Sequence, residues 1–384
     1  MDKKMFKLQR VPLQIELLLL GLQQFFNDYQ WLHFRSIVLA LLITPYKATL
    51  TGMVRVLNFG SHRSKHNEFL NDCSEILSKA LKFYAMLVLN LLKKSGEAIY
   101  FIIDDTSNKK KGKHVIAAFK FFDHTSKQYI WGHQLVCAIL EYRGIVIPYA
   151  IEVYMSKDKA QQNGKEFKKK TKIASEILTE FEADEGQDVF VITDTFYASP
   201  EIMYLCRARK YSFVSMLKTN RILNIENKQM NVSSYTCRYF KRKKNHKVVK
   251  LKSKKYQIHS AKVVLKKGGA VKIVCTRSLS HCTVKTIFTT NTALPIKSIL
   301  AAYSKRWSIE VLFKMSKQYL GLRSYQSVNL PAIQSSVRLS LISYNLLTHV
   351  FIQEERAQGK RITDKKLAHF SVIKMRDHLR QIGY

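Results

Sequence analysis

Apolar residues recur every three or four positions through the first quarter of the chain, which is the spacing of helices with one buried face. The pattern is clearest over residues 15–26, 34–44 and 69–92, and Pro45 interrupts it after the second segment. A basic loop over residues 60–66 precedes the third segment. The pattern therefore predicts helices throughout residues 1–95.

At residue 98 the pattern becomes that of strands. Residues 99–103 form an apolar run of β-branched and aromatic side chains, which predicts a buried strand ending at Asp104 and Asp105. Further strands are predicted over 114–123, 144–154, 188–193 and 211–217, and helices over 159–182 and 200–209. Pro148 indicates that the strand over 144–154 is an edge or bulged strand. This alternation is typical of a mixed α/β sheet with helices on its faces.

Residues 222–290 alternate apolar and basic side chains with a period near two, which predicts antiparallel sheet with one solvated, basic face. Gly268-Gly269 predicts a hairpin turn within it. Pro295 then begins one long helix predicted to reach about residue 320. Helices are also predicted over 331–358 and 364–381.

The charge balance points to a polyanionic partner. Lys and Arg total 64 against 28 Asp and Glu, giving a formal net charge of +36. An enzyme of neutral metabolites has no use for such a field, whereas each neutralised phosphate of a nucleic acid releases counterions. The apolar stretches at 17–22 and 37–43 are too short to cross a membrane. The six cysteines include no C-x-x-C pair, which favours reduced thiols in a cytoplasmic protein over disulfides or zinc.

Carboxylates follow two predicted buried strands, at Asp104/Asp105 and at Asp194. Strand ends are where α/β folds place functional groups, and Mg²⁺ prefers carboxylate oxygens. Two such ions can activate a water and stabilise the leaving oxygen of a phosphodiester. Either site alone is more typical of a turn or a helix cap than of a metal site.

A third group of residues lies on the predicted helix after Pro295. At about 100° per residue, Tyr303, Arg306, Glu310 and Lys317 project within an arc of about 60°. Arg306 and Glu310 fit a plain surface pair. If this face meets the aspartates, it adds a metal ligand beside cations suited to phosphate oxygens.

These residues resemble those of a known family. The spacing Tyr303-x2-Arg306-x3-Glu310-x6-Lys317 resembles the Y-R-E-K signature of a large group of bacterial insertion-sequence DDE transposases. Asp104-Asp105-Thr106 with the lysine-rich turn at 109–113 is similar to the family's first motif, and residues 194–199 to its second. Lys218 and Arg221 match the ending of the strand that follows.

The resemblance extends over about residues 98–330 and implies a ribonuclease-H-like α/β fold. The implied regions are a helical DNA-binding region (1–95), the first part of the catalytic domain (96–221), a β-rich insertion (222–290), the catalytic helix (291–330) and C-terminal helices (331–384). Trp131 and Trp307 are candidates for an aromatic wedge against a flipped base, but a Trp on a helix is more often part of a core, so neither is assigned this role.

For the site, the resemblance implies that one aspartate of the first motif, Asp194 and Glu310 hold two Mg²⁺ ions, with Mn²⁺ as a substitute. In family variants the ligand is the aspartate directly before Thr, which favours Asp105, with Asp104 as the close alternative. Tyr303, Arg306, Lys317, Lys218 and Arg221 are implied DNA or phosphate contacts.

The implied reaction is cut-and-paste transposition in the bacterial cytoplasm, at the nucleoid. The enzyme would cleave double-stranded DNA at the inverted repeats of the element and join the ends to target DNA, acting as a homodimer. Two alternatives stay open: a nuclease of the same fold that does not transpose, and a catalytically silent DNA-binding protein derived from a transposase.

Overall fold

The structure is a computed structural model, 48% helical and 27% strand, which confirms the predicted α/β class. It describes residues 13–44, 47–57, 62–112, 114–123, 126–225, 228–240, 247–251, 254–278, 284–357, 363–367 and 370–382. Pro45, Gly60, Ser61, Lys113 and the pair His281-Cys282 lie outside these ranges. The other five cysteines are free. None of the helices within the described ranges is long and apolar enough to cross a membrane.

The helices are α1 (Leu13–Leu19), α2 (Asp28–Ile43), α3 (Leu50–Val54), α4 (Arg63–Asp72), α5 (Ser74–Leu92), α6 (Lys157–Gln162), α7 (Lys170–Thr179), α8 (Pro200–Ala208), α9 (Val232–Tyr235), α10 (Ile296–Ser304), α11 (Trp307–Tyr319), α12 (Leu330–Ala357), α13 (Asp364–Leu367) and α14 (Val372–Ile382). A 3-10 helix spans Leu20–Phe25 and a π-helical turn spans Thr236–Phe240.

The strands are β1 (Ile99–Lys109), β2 (Phe119–Asp123), β3 (Gln128–Tyr142), β4 (Ile145–Tyr154), β5 (Val189–Thr193), β6 (Ser212–Met216), β7 (Ile222–Ile225), β8 (Lys228–Asn231), β9 (Lys247–Leu251), β10 (Lys254–Leu265), β11 (Gly269–Ser278) and β12 (Lys285–Thr289). The chain forms two compact units. It passes from one unit to the other four times: before β1, between Glu97 and Ala98; inside β1, between Asp104 and Asp105; after Lys169; and inside α11, between Ser308 and Ile309.

The first unit comprises the chain up to Glu97, Asp105–Lys169 and everything from Ile309. Its centre is α12, which is buried along most of its length and packs against α2, α4, α5 and β4. Strands β2, β3 and β4 form an antiparallel meander. Pro148 lies at a shift in the β3–β4 register, opposite Ile139, so the prediction of a bulged strand is confirmed.

The second unit comprises Ala98–Asp104 and Lys170–Ser308. Its large mixed sheet has the order β1-β5-β6-β12-β11-β10-β7-β8. β9 pairs with residues 254–258 of β10, and β7 pairs with the other end of that strand. β1, β5 and β6 are parallel, and β12 joins β6 in antiparallel orientation. The strands of residues 222–290 therefore extend the sheet of the aspartate-bearing strands. The turn at Gly268-Gly269 is confirmed, and both glycines have positive φ.

Five predictions of local structure were wrong. β1 does not end at the aspartates but continues to Lys109, because pairing in the sheet overrides the weak strand preference of Asp, Ser and Asn. The strand expected over 114–123 covers only Phe119–Asp123, and β3 was not predicted. The helices expected over 159–182, 295–320 and 364–381 are each two helices.

Candidate active site

Two of the candidate carboxylates lie where the pairing of two neighbouring parallel strands of the second unit ends. The register of β1 and β5 ends with Ile103 opposite Thr193; Asp104 is the next residue of β1, and Asp194 directly follows β5. Partners in a parallel register point to the same face. Tyr100 and Phe190, four residues earlier on each strand, stack at 5.3 Å between centroids on that face. Asp104 and Asp194 therefore share the face of these two rings.

Asp105 lies on the other face of β1, because side chains alternate along a strand and β1 runs without interruption through both aspartates. The odd-numbered positions of β1 form that face. Phe101 is one of them and packs on Phe181 at 4.8 Å. The two aspartates are therefore not equivalent: only Asp104 shares a face with Asp194.

The turn between α10 and α11 lies on the Asp104 face. Arg306 Nη1 donates to Asp104 Oδ2 at 2.8 Å, and both side chains are mostly shielded, 21% and 15% exposed. Lys305 Nζ lies 5.3 Å from the centre of the Tyr100 ring. A guanidinium makes a strong, charge-assisted hydrogen bond to a shielded carboxylate, and the same group can bind a phosphate oxygen.

Tyr303 and Arg306 lie in or next to a break that was not predicted. The amides of Lys305, Arg306 and Ser308 each donate to the carbonyl three residues earlier, at 3.0, 3.1 and 2.9 Å. This tightened turn replaces the continuous ladder of a single α-helix. The prediction that all four signature residues lie on one helix is therefore wrong: Tyr303 lies in the last turn of α10, Arg306 is in the turn that follows, and Glu310 and Lys317 are on α11.

The Tyr303 hydroxyl lies in the field of the same charges. Burial raises the pKa of Tyr303, the positive charge of Arg306 lowers it, and the negative charges of Asp194 and Asp104 raise it further. Tyr303 therefore remains a neutral donor at physiological pH. Its phenol can give a hydrogen bond to an anionic oxygen on this face.

Asp194 is held by the backbone that follows it. Its Oδ1 accepts from the amides of Phe196 and Tyr197, at 2.8 and 3.2 Å. The buried Ser215 hydroxyl donates to the Asp194 carbonyl at 2.8 Å. The end of β5 is thus fixed in a conformation that holds the carboxylate in place, as functional sites require.

A cleft of 670 Å³ lies next to Asp194 in the second unit, within the range of ligand sites. Phe196, 49% exposed, forms part of its wall. Its basic lining residues are Lys218, Arg221, Lys266 and Lys267. The predicted phosphate contacts Lys218 and Arg221 therefore face one space together with two lysines that sequence reasoning did not single out.

Asp105, Glu310 and Lys317 belong to the first unit. Lys317 Nζ donates to the carbonyl of Ser107 at 2.7 Å, so its ammonium binds β1 directly. Burial lowers the pKa of Lys317 to about 8; the charge of Asp123 raises it and that of Arg323 lowers it. Glu310 lies in the first turn of α11 and is half-buried.

A polar network of the first unit holds the segment that follows α11, and it was not predicted. Asn108 Nδ2 donates to the Leu322 carbonyl at 2.7 Å, and Lys110 Nζ to the Tyr325 carbonyl at 2.7 Å. The Tyr325 hydroxyl lies 2.9 Å from His133 Nδ1. The only sequence signal was the lysine-rich turn that contains Lys110; Asn108, His133 and Tyr325 carry no motif.

The donor chemistry fits a hard divalent cation in part. Asp104 and Asp194 offer carboxylate oxygens on one face of adjacent strands, which is what Mg²⁺ takes in proteins. Within the part of the chain that the structure describes, no three His, Cys, Asp or Glu side chains are gathered into a ligand cluster. Glu310, in the first unit, is the further carboxylate that the signature provides.

Comparison with known proteins identifies the family. The family model of the DDE superfamily endonucleases matches residues 22–271, more than half of the chain. The match includes Asp104, Asp105 and Asp194 and ends before Glu310. No curated protein matches the chain. The mixed sheet with flanking helices is consistent with the ribonuclease-H-like fold of such enzymes. The chain therefore belongs to the DDE superfamily endonuclease family.

Proposed function

We propose that this endonuclease is a transposase, which cleaves DNA at the inverted-repeat ends of an insertion sequence and joins the freed ends to target DNA. The observation that carries the proposal is the pair Asp104 and Asp194 on one face of adjacent parallel strands, with Arg306 bound to Asp104. The Y-R-E-K spacing resembles that of insertion-sequence transposases, which adds Glu310 to the site and implies action at DNA ends. The net charge of +36 supports a nucleic acid substrate.

We assign the first metal ligand to Asp104. The resemblance alone favours Asp105, but Asp104 is the aspartate that shares a face with Asp194 and meets Arg306. Asp104, Asp194 and Glu310 would then hold two Mg²⁺ ions, or Mn²⁺, which when bound lower the pKa of a water and stabilise the leaving oxygen of a phosphodiester. Asp105 is the alternative first ligand, and Asp105→Asn distinguishes the two.

The remaining residues bind and orient the DNA. Arg306 neutralises Asp104 in the absence of substrate and can turn its guanidinium to a backbone phosphate when DNA and metal arrive. The neutral Tyr303 hydroxyl donates to a neighbouring phosphate oxygen. Lys218 and Arg221 hold the strand in the cleft next to Asp194.

DNA flanking the cut would lie on the basic strands within residues 236–272, bound chiefly through its phosphates. Joining two ends requires both in one complex, so the active form on DNA is a homodimer. The N-terminal helices would bind the inverted repeats, which is the role that the resemblance to insertion-sequence transposases implies for this region.

The test is cleavage and joining of a labelled DNA end from the element in the presence of Mg²⁺. Glu310→Gln, Asp194→Asn and Asp104→Asn should each reduce cutting by at least about a hundredfold, because each removes one carboxylate of the two-metal site. Glu182→Gln, which changes an exposed glutamate of the second unit, is the matched control and should cut as the wild type does.

Each outcome has one meaning. Normal cutting by Glu310→Gln contradicts the role of Glu310. Loss of cutting in Asp105→Asn, with Asp104→Asn unaffected, reverses our assignment of the first ligand. Cutting without any joined product identifies a nuclease that does not transpose, and DNA binding without cutting identifies a catalytically silent protein.

A further inference from the structure

The β2–β3 hairpin of the first unit carries exposed aromatic side chains on one of its faces. Phe122 is 42% exposed and Tyr129 is 68% exposed. They are direct cross-strand partners, with ring centroids 5.5 Å apart at 73°. An exposed aromatic pair on an edge strand promotes unwanted association. Its presence here therefore indicates a binding surface.

Two further side chains share this face. Lys120 pairs with Trp131 across the strands, and each lies two residues from one of the aromatic pair, which places all four side chains on one side of the sheet. The opposite side holds Phe121 and Ile130, each only 9% exposed. The hairpin therefore has one core face and one solvated face. We call the solvated set Lys120, Phe122, Tyr129 and Trp131 the hairpin platform.

Cations accompany the rings of the hairpin platform. Lys120 Nζ lies 5.4 Å from the centre of the Tyr129 ring, and Lys159 Nζ lies 5.8 Å from that of Trp131. The Trp131 indole donates to the Gly112 carbonyl at 2.9 Å, which fixes the orientation of this ring. Lysines alone suffice to protect a strand edge from pairing. Aromatic rings among them add stacking surface, which edge protection does not require.

From this arrangement we infer that the hairpin platform binds single-stranded DNA, with bases stacked on Tyr129 and Trp131 and phosphates held by Lys120 and Lys159. Aromatic rings interleaved with cations are how proteins bind unpaired strands without reading sequence. Tyr129 and Trp131 lie about 7 Å apart along the strand, which gives neighbouring bases separate rings. A duplex hides the faces of its bases and can use only the lysines.

Hydrogen bonds of Asp123 fix the end of β2 next to the hairpin platform. Asp123 Oδ2 accepts from both the amide and the hydroxyl of Ser126, at 3.0 and 2.7 Å. Ser107 Oγ donates to Asp123 Oδ1 at 3.3 Å, which ties the turn to β1. Rigid rings lose little conformational freedom when a base stacks on them, so stacking contributes more to affinity.

The test measures binding of the full-length chain in EDTA to fluorescent oligothymidylate and, separately, to a duplex of unrelated sequence. Tyr129→Ala should weaken oligothymidylate binding about 5- to 100-fold, the range for one stacked base, and leave duplex binding within about twofold. Tyr129→Trp should retain it. Lys120→Gln should lower the salt slope of oligothymidylate binding by about 0.7.

Tyr204→Ala is the matched control, because Tyr204 is 60% exposed on α8 in the second unit and should leave both affinities unchanged. Tyr129 is too exposed for its replacement to unfold the chain. Unchanged oligothymidylate binding in Tyr129→Ala contradicts the inference, as does an equal loss for single strand and duplex. A Tyr129-dependent preference for oligouridylate would identify RNA as the ligand and overturn it. Since no cleavage is measured, failure here is independent of the proposed transposase activity.

Discussion

The half-buried Lys110, in the lysine-rich turn of the first motif, predicts how the free energy of unfolding changes with pH. Burial, and to a smaller extent the charge of Lys47, lowers the pKa of Lys110 from its ordinary 10.5 to about 7. A lysine in the unfolded chain keeps a pKa near 10.4. Between pH 7 and 10.5 the folded protein therefore binds fewer protons than the unfolded one, and the free energy of unfolding rises with pH.

The contacts of the ammonium act in the opposite direction. Lys110 Nζ donates to the Tyr325 carbonyl at 2.7 Å and lies 3.2 Å from the centre of the same residue's ring. Both contacts favour the charged form. A neutral amine keeps its donors, however, so these contacts offset only part of the desolvation. A lowering from 10.5 to about 7 corresponds to at most about 5 kcal/mol; since Lys110 is half-buried, we expect about 2–3 kcal/mol.

The perturbation is Lys110→Met, which removes the charge and keeps the length of the side chain. Its free energy of unfolding should be compared with that of the wild type in urea from pH 7 to pH 10. Fluorescence in a Trp307→Phe background reports on the first unit, because Trp31 and Trp131 both lie there. The wild type should gain about 2–3 kcal/mol over the variant across this range.

Lys111→Met is the control, because Lys111 is the exposed neighbour in the same turn, and its difference from the wild type should not change with pH. If the difference in free energy of unfolding between the wild type and Lys110→Met stays constant with pH, burial does not determine the pKa of Lys110. If this difference falls as pH rises, the contacts with the carbonyls and the ring outweigh burial. Either result refutes the reasoning.

Three other predictions follow from single sites. Gly132→Ala should prevent folding of the first unit, measured as loss of soluble protein, because a Cβ there would overlap the backbone carbonyl of Asn108; normal solubility would contradict this. Asp194→Ala should lower the free energy of unfolding by about 1–2 kcal/mol, because it removes the acceptor of two backbone amides. Asp194→Asn keeps that acceptor, so it should lose cutting but not stability. Equal free energies of unfolding for the two variants would contradict this. Burial and the charge of His33 lower the pKa of His66 to about 4, so stability should fall as pH drops from 6.5 towards 4, and His66→Gln should flatten that dependence in urea unfolding.

The sequence predicted the elements whose pattern depends on local burial. The runs at Val189–Thr193 and Ser212–Met216 are apolar because both faces of a parallel strand are covered. Pro148 and the pair Gly268-Gly269 identified a bulge and a turn because their backbone chemistry allows little else there.

The sequence failed where long-range pairing decides the structure. β1 remains a strand through Asp104 and Asp105, although these residues disfavour strands, because it pairs with β5 in the second unit and with β3 in the first. β3 was missed because Gly132, His133 and Gln134 interrupt its apolar run. Gly132 is required there by the close approach of the Asn108 backbone, a contact between residues that are far apart in sequence.

The two cations of the Y-R-E-K spacing have a common structural role that the motif does not reveal. In the second unit Arg306 binds β1 through the Asp104 side chain, and in the first unit Lys317 binds β1 through the Ser107 carbonyl. Glu310 lies between these two anchors along the chain. Each cation thus fixes its end of the Arg306–Lys317 segment to the strand that carries the aspartates. Replacing either one should impair cutting even on substrates saturated with respect to binding, because the carboxylate between them loses its support.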